Sequence, residues 1–545
     1  MLTTASPAER TARLILAVIP VGLFVLSVIV ANHHGPYFLR NNFDPDYNYL
    51  LNSLSLLKFH TPGHTDHPGT TLQILGAAVL LFKWLGALLL GHRQTLTDSV
   101  LSHPEEYLRV INVVLNILIG GTLYGSAWCV YRLSKSLTAG MLLQGTVLVY
   151  SQTFLSMPRV SPEPLLMAVG LALMVPLAPM VLLREGTEEN GKRLAGAAGA
   201  IFGFGLITKI TFAPWAATIL LFPQRSQKRR FVATAAAAAL VLLLPAAGRF
   251  SAMASWFTSL LVHSGHYGTG RIGIPEANVL TANLLSLWQV EPPLFLFLAL
   301  YTVLLVVFLL FHPEGMSLTN RARPLLLAAS IAIVAGIAMV VKHPANHYLI
   351  PVLVLTAFVN STLWVRMPRF DLNGALVRRL CQATMVAFIG MGLVHNWSSF
   401  WWWVEAARTD RRSVAELHAL EESLPGCQII GSFRSSLKVY ALSFAGDYSA
   451  GVHADALEKL YPGSIHYDPF NDRFTSFNDV KSDDVQRLVS SGHCVLMETT
   501  PLAAGILQRF ALDERINFAT LMTVPNPIIP FEATTVYRLE PRGLP

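Results

Sequence analysis

Apolar runs with almost no charge recur along the chain, each near the roughly 20 residues that a helix needs to cross a bilayer. They fall at 12–31, 109–131, 137–155, 163–184, 231–248, 293–311, 324–341, 348–366 and 376–396. The run 195–222 is long enough for two short helices broken near Lys209, with Pro214 just beyond the break. Together these predict about eleven transmembrane helices. One more run, 69–91, is apolar enough to cross, but counting it inverts everything downstream. Beyond 396 the pattern changes. There "CQIIGSF", "CVLMET" and "TTVYRL" read as short strands, and "SVAELHALEESL" and "SDDVQRLVSS" as amphipathic helices. The expected fold is a polytopic α-helical membrane domain (1–396) followed by a small α/β domain (397–545).

Composition and charge settle the ambiguous run. The 545 residues are 53% hydrophobic and 13% charged, against about 25% charged in soluble proteins. The net charge of +7 is a signal of topology, not of nucleic acid, because the basic residues gather in short loops. Suppose 69–91 lies along the outer face as a juxtamembrane helix. Then Arg10, Arg13, Arg132, Lys135, Arg184, Lys192 and Arg193 all face the cytoplasm. So do Arg225, Lys228, Arg229, Arg230, Arg321, Arg323, Arg366, Arg369, Arg378 and Arg379. If it crosses, most of them move outside. The in-plane reading gives an inner (plasma) membrane protein with a cytoplasmic N-terminus and a periplasmic C-terminal domain. The first segment lacks a small-residue cleavage site and is read as a retained helix. Cys129 and Cys381 fall in apolar runs as packing residues. Cys427 and Cys494 could pair if the tail is extracytoplasmic.

The outer loops are then 32–108, 156–162, the Lys209 break, 249–292 and 342–347. They carry most of the membrane domain's conspicuous His, Asp, Glu and Trp residues. Asp44-Pro45 reads as an N-cap followed by proline at the first helical position. Asp46 sits in the first turn of "DYNYLLNSLSLL", where a carboxylate can serve as general base or simply complement the helix dipole. His60, His64, Asp66 and His67 offer enough ligands for zinc, but Pro62 and Gly63 bend the run into a loop. A divalent metal is possible; no cofactor is certain. The loop "VHSGHYGTGRIGIPEAN" sets His263, His266, Tyr267, Arg271 and Glu276 among glycines, as in loops that close over substrates and in mobile surface loops alike. Trp397, Trp401, Trp402 and Trp403 read as interface anchors. The tail contains no phosphate loop and no nucleophile elbow.

An acid and a tyrosine after the first transmembrane helix, then an amphipathic stretch, then His-Pro opening an apolar helix: this order resembles the GT-C glycosyltransferases. The resemblance is to the branch of the protein-O-mannosyltransferases and the lipid A aminoarabinose transferases. Bacterial members carry Asp-Glu-x-x-Tyr and then His-Pro-Pro. Asp46 and Tyr49 hold the Asp and Tyr places, and His67-Pro68 the His-Pro. Tyr47 stands where the family has Glu, and Gly69 where it has the second Pro. Further on, "RVSPEPLLMAVGLAL" resembles the second outer loop, with Glu163 at the acid. "FGFGLITKITFAPW" resembles the mid-chain Gly-x-x-x-Lys turn at Lys209. "KHPANHYLIPVL" resembles a basic residue followed by Tyr-x-x-Pro, at Lys342, Tyr348 and Pro351. The likeness runs over residues 12–396.

The resemblance implies a polyprenyl-phosphate sugar donor used on the outer side, with a glycan, lipid or protein as acceptor. The phosphate is then the leaving group. The reaction needs a carboxylate to take the acceptor's proton and cations to hold the departing phosphate. Asp46 is the expected base and Glu163 the second catalytic acid, orienting acceptor or base. Lys209, Lys342 and Arg271 are the expected phosphate partners, although lysines at membrane ends also snorkel to headgroups. Asp44, Tyr49, His67, His266, His347 and Tyr348 are the expected substrate contacts. Membrane lipid is a partner and nucleic acid is not. Two other classes stand beside this one: a transporter or flippase of lipid-linked saccharides, and a membrane scaffold whose tail binds a partner.

Overall fold

The computed structural model describes residues 6–39, 43–66, 68–183, 187–310, 322–366, 372–432, 435, 437–468, 473–499, 516–524 and 534–541. His67, Arg184, Arg321 and Arg369 lie outside them. The helices before the tail are α1 (Pro7–His34), α2 (Phe43–Leu57), α3 (Thr70–Leu89), α4 (Leu96–Ser102), α5 (Pro104–Ser134), α6 (Leu137–Leu148), α7 (Ser151–Ser156) and α8 (Pro162–Leu182). They continue with α9 (Glu188–Thr208), a 3-10 helix Ile210–Leu221, α10 (Arg225–Leu243), α11 (Phe250–Val262), α12 (Ala277–Val290), α13 (Pro292–Leu310), α14 (Ala322–Lys342), α15 (Ile350–Arg366) and α16 (Leu372–Ser423). Contacts divide the chain into two compact units. One comprises Met1–Ile29, Thr65–Leu72 and Asn112–Phe400; the other comprises Val30–His64, Gln73–Ile111 and Trp401–Pro545.

Among the described residues seven helices are long and apolar enough to cross a membrane, or eight if α12 and α13 form one broken span. The break expected near Lys209 is there: Lys209 is extended (φ −163°, ψ 140°) between α9 and the 3-10 helix. Two expectations change. The run 231–248 is the middle of a longer stretch, Arg225–Val262, because a 3-10 turn at Leu244–Arg249 carries the chain on into apolar α11. The outer loop expected at 249–292 shrinks accordingly to 263–276. In addition, α12 and α13 meet at a 100° bend. Helix α3, read from the charges as lying in plane, fits a crossing equally well by length and hydropathy.

Within the first unit, α8 and α15 are the inner helices. Of their most apolar windows 83% is buried, against 11% for Arg225–Val262, whose bare apolar surface suits lipid. Helices α9 and α10 approach closely at Gly199 and Gly203, one turn apart. A Cβ at either would collide with the carbonyl of Phe231 or Ala235, which is how small residues let two membrane helices touch.

In the second unit a six-stranded sheet runs in the order β3 (Arg473–Thr475), β2 (Ile465–Asp468), β1 (Gln428–Gly431), β4 (Val495–Thr499), β6 (Thr534–Pro541), β5 (Ile516–Val524). Strand β1 pairs in parallel with β2 and β4; the remaining pairs are antiparallel. Alternation along β4 divides the core. Val495 and Met497 pack with Ile430, Tyr467, Phe474 and with Val485 and Val489 of a helix at Ser482–Ser490. Leu496 turns to the other face, toward Leu417 of α16. Cys427 and Cys494 form a disulfide beside that cluster. The bond closes a loop across 67 positions, for which chain entropy gives about 4 kcal/mol. Replacing both cysteines by alanine is expected to lower the unit's stability by up to that amount, read as earlier protease cleavage in the sheet. Unchanged resistance would contradict it.

Helix α2 packs in the same unit against a helix at Lys438–Tyr448. This covers polar residues that a membrane-surface helix would show to water: Asn48, Asn52, Ser53 and Ser55 are all buried. The Asn52 amide donates to the carbonyls of Asn48 (2.7 Å) and Tyr448 (3.2 Å), and its oxygen accepts from the backbone of Gly63 and His64. His453 Nε2 lies 2.9 Å from the Ser55 hydroxyl and 3.0 Å from the Leu51 carbonyl. Burial, helped by Lys58 and His60 nearby, pushes the His453 pKa from 6.5 to about 4. The folded chain therefore takes up this proton less readily than the unfolded chain. Stability is full above about pH 6.5 and falls as pH drops toward 4. Amide-exchange protection of α2 should follow that profile, and His453→Gln should flatten it. A wild-type profile already flat over that range would refute the assignment.

Candidate active site

Three of the motifs singled out by sequence meet in the first unit. Ser161 holds the N-cap position of α8 without a side-chain capping bond, Pro162 takes the first helical position, and Glu163 enters the first turn, where the helix dipole favours a carboxylate. The extended backbone at Lys209 directs that side chain onto Glu163: Nζ lies 2.6 Å from Oε1, and both side chains are 4% exposed. The ammonium also sits 4.2 Å from the Tyr348 ring centroid, a cation–π distance. His347 stacks edge-on against Tyr348 at 4.5 Å, and its Nε2 is 3.7 Å from the same Glu163 oxygen. That is too long for a hydrogen bond. His347 remains half exposed (47%) beside a fully buried pair.

The scaffold around this cluster is rigid. Trp215, two turns past Lys209, donates through Nε1 to the Pro351 carbonyl at 3.0 Å and stacks on Phe212 at 5.2 Å. The Lys209 segment is thereby fastened to the segment of Tyr348. Gly170 lets α8 and α15 close on each other, since a Cβ there would lie 2.9 Å from Val354. The His-Pro segment arrives beside the break: Gly69 N donates to the Ile207 carbonyl (3.1 Å) and Thr71 Oγ1 to Thr208 Oγ1 (2.8 Å). His67 itself is outside the described residues.

Other expected residues are placed differently. Lys342 ends α14, and its ammonium donates to the carbonyls of Leu260 (2.8 Å) and Leu261 (2.6 Å), while His343 Nε2 meets Leu260 at 3.0 Å. Lys342 thus caps α11 and does not join the Glu163 cluster. Arg271 is exposed in the loop 263–276, and His266 opens a single 3-10 turn. In the second unit, Asp46 and Tyr49 are buried in α2. Asp44 is exposed, with extended dihedrals (φ −105°, ψ 115°) as an N-cap requires, and its Oδ1 accepts from Asn48 at 3.1 Å. No group of three His, Cys, Asp or Glu able to hold a metal ion occurs among the described residues. A cavity of about 810 Å³ is lined by Gln428, Glu458, Lys481, Asp484 and Arg487, among others, and by none of the candidate residues.

Two further carboxylates, buried Glu291 and half-buried Glu105, escaped the sequence reading. Glu291, between α12 and α13, accepts from Ser151 Oγ (2.6 Å) and from the backbone N–H of Gln152 (2.7 Å). Glu105, in the first turn of α5, accepts from Tyr47 and Tyr37. The one available signal for Glu105 was an acid at the second position of a helix, which also describes an ordinary dipole partner.

No protein-family profile and no curated protein matches the chain. Two solved structures are similar to it, both of ArnT from Cupriavidus metallidurans. The crystal structure bound to undecaprenyl phosphate has a TM-score of 0.47 and 12% identity, over 95% of this chain and 98% of that one. The apo structure has a TM-score of 0.48 and 12% identity, over 95% and 97%.

Proposed function

We propose that this protein transfers a sugar from a polyprenyl-phosphate donor to a glycan, lipid or protein acceptor at the outer face of the membrane. One observation carries the reading. Glu163, Lys209 and the His347–Tyr348 pair, picked from separate stretches of sequence for this chemistry, come together around one buried ion pair. Lys209 contributes positive charge for a departing phosphate, and its remaining N–H groups are the donors for it. Glu163 holds that ammonium in place, and half-exposed His347 is the outward-facing donor. Asp46 is the general base in this reading, on the strength of its place in the motif order. Arg271 stays a candidate donor-phosphate contact from the loop, while Lys342 has the structural task described above.

The Cys427–Cys494 disulfide supports an oxidising, extracytoplasmic surrounding for the tail, as the charge distribution does. The second reading, a transporter of lipid-linked saccharides, draws support from the 100° bend between α12 and α13, since broken helices mark many transport sites. Lipid mass spectrometry separates the two. Cells lacking a transferase accumulate a sugar-loaded polyprenyl phosphate and lose one sugar from surface glycans, and purified protein releases free polyprenyl phosphate from that lipid. A transporter moves the lipid and leaves the sugar–phosphate bond intact.

A further inference from the structure

Helix α2 carries tyrosine at 47 where the resembled pattern has a second acid beside Asp46. The fold supplies a carboxylate there from another helix. Tyr47 is fully buried and its hydroxyl donates to Glu105 Oε1 at 2.7 Å. The other oxygen of Glu105 accepts from the backbone N–H of Tyr37, also at 2.7 Å. One carboxylate thus joins the chain just before α2, the first turn of α2 and the start of α5. Asp46 is close enough to act electrostatically on both Tyr47 and Glu105, with Arg109 on α5 and Tyr461 as the other titratable groups bearing on them.

We propose that Glu105 is a positioning residue for Asp46. Because Tyr47 and Asp46 are neighbours on one helical turn, anchoring the Tyr47 hydroxyl fixes the rotation of α2 about its axis. That fixes where the Asp46 carboxylate points. A half-buried charge–phenol bond suits this task better than an apolar contact, since its geometry is directional and the charge on the acceptor strengthens it. The carboxylate absent from the motif returns across 58 positions of sequence, as a support and not as a second base. This inference rests on the reading of Asp46 as the base.

The test uses full-length protein and the donor lipid extracted from cells lacking it. Tyr47→Phe removes one hydroxyl and leaves the bond from Tyr37 to Glu105. Displacing a catalytic group slightly should lower kcat roughly 10- to 100-fold. KM for the donor should stay within twofold, a split that general loosening of the fold would not give. Glu105→Gln should behave alike, and combining it with Tyr47→Phe should add little, because both act through one contact. If Glu105→Gln fails to fold, Tyr47→Phe decides alone. Normal kcat in Tyr47→Phe, or a rise in KM with kcat preserved, would overturn the inference. Inactive Asp46→Asn beside normal Tyr47→Phe removes only this inference, whereas active Asp46→Asn removes the assignment of the base itself.

Discussion

Asp46→Asn should reduce sugar transfer roughly 100- to 10,000-fold, the range for losing a general base, while leaving the fold intact. The substitution keeps the shape of the side chain at a site with no exposed surface. It also removes one of two neighbouring negative charges, so thermal stability should hold or rise. The loss should fall on kcat and kcat/KM together, because donor binding does not need the proton acceptor. Comparable unfolding temperatures with transfer reduced to background is the expected pair of results. Turnover near the wild-type rate would exclude Asp46 as the base, however well the variant folds.

The second large effect is at the buried ion pair. Lys209→Met strands the Glu163 carboxylate among side chains with 4% exposure and should cost about 3–5 kcal/mol of stability. Stability alone cannot separate a structural pair from a phosphate site; the double variant can. Lys209→Met with Glu163→Gln removes both charges together, and replacing a whole buried pair is often neutral. It should recover most of the lost stability. Transfer should stay abolished, because the cation for the leaving group is still missing. Recovery of activity along with stability would reduce the pair to a packing element and remove the main support for the proposed chemistry.

Sequence pattern made much of this legible, and the failures have identifiable causes. The break at Lys209 could be read because an apolar run too long for one helix and too short for two full spans carries Pro214 just beyond its middle. Strands β1, β4 and β6 follow short apolar segments. By contrast β2, with the sequence Ile-His-Tyr-Asp, and three-residue β3 owe their form to pairing with neighbours. Helix α2 was legible as a helix but not as a covered one. The partner of Asn52, the Tyr448 carbonyl, lies 396 positions away, and no local pattern announces it. The run expected at 231–248 was ended too early, and α11 beyond it was read as loop. A 3-10 turn at Leu244–Arg249 accommodates Pro245 near its start and carries the chain on into α11.

At the candidate site, the sequence named residues but not their partners. Glu163, Lys209 and Tyr348 were named from motif order and His347 as a substrate contact beside them, yet nothing in the sequence paired Glu163 with Lys209. Lys342 was weighed as a phosphate ligand or a snorkelling lysine. Its ammonium instead closes the carbonyl end of a helix some 80 positions earlier. Long cations at helix ends satisfy several partners equally well, so the choice among them is made only in three dimensions.

The most direct measurement is single-turnover reaction of the purified protein with the polyprenyl-phosphate sugar that accumulates in cells lacking it, followed by mass spectrometry of the lipid. Cleavage to free polyprenyl phosphate in the presence of acceptor, by the wild type and not by Asp46→Asn, is the predicted result. A donor lipid recovered intact, with its sugar still attached, would contradict the account.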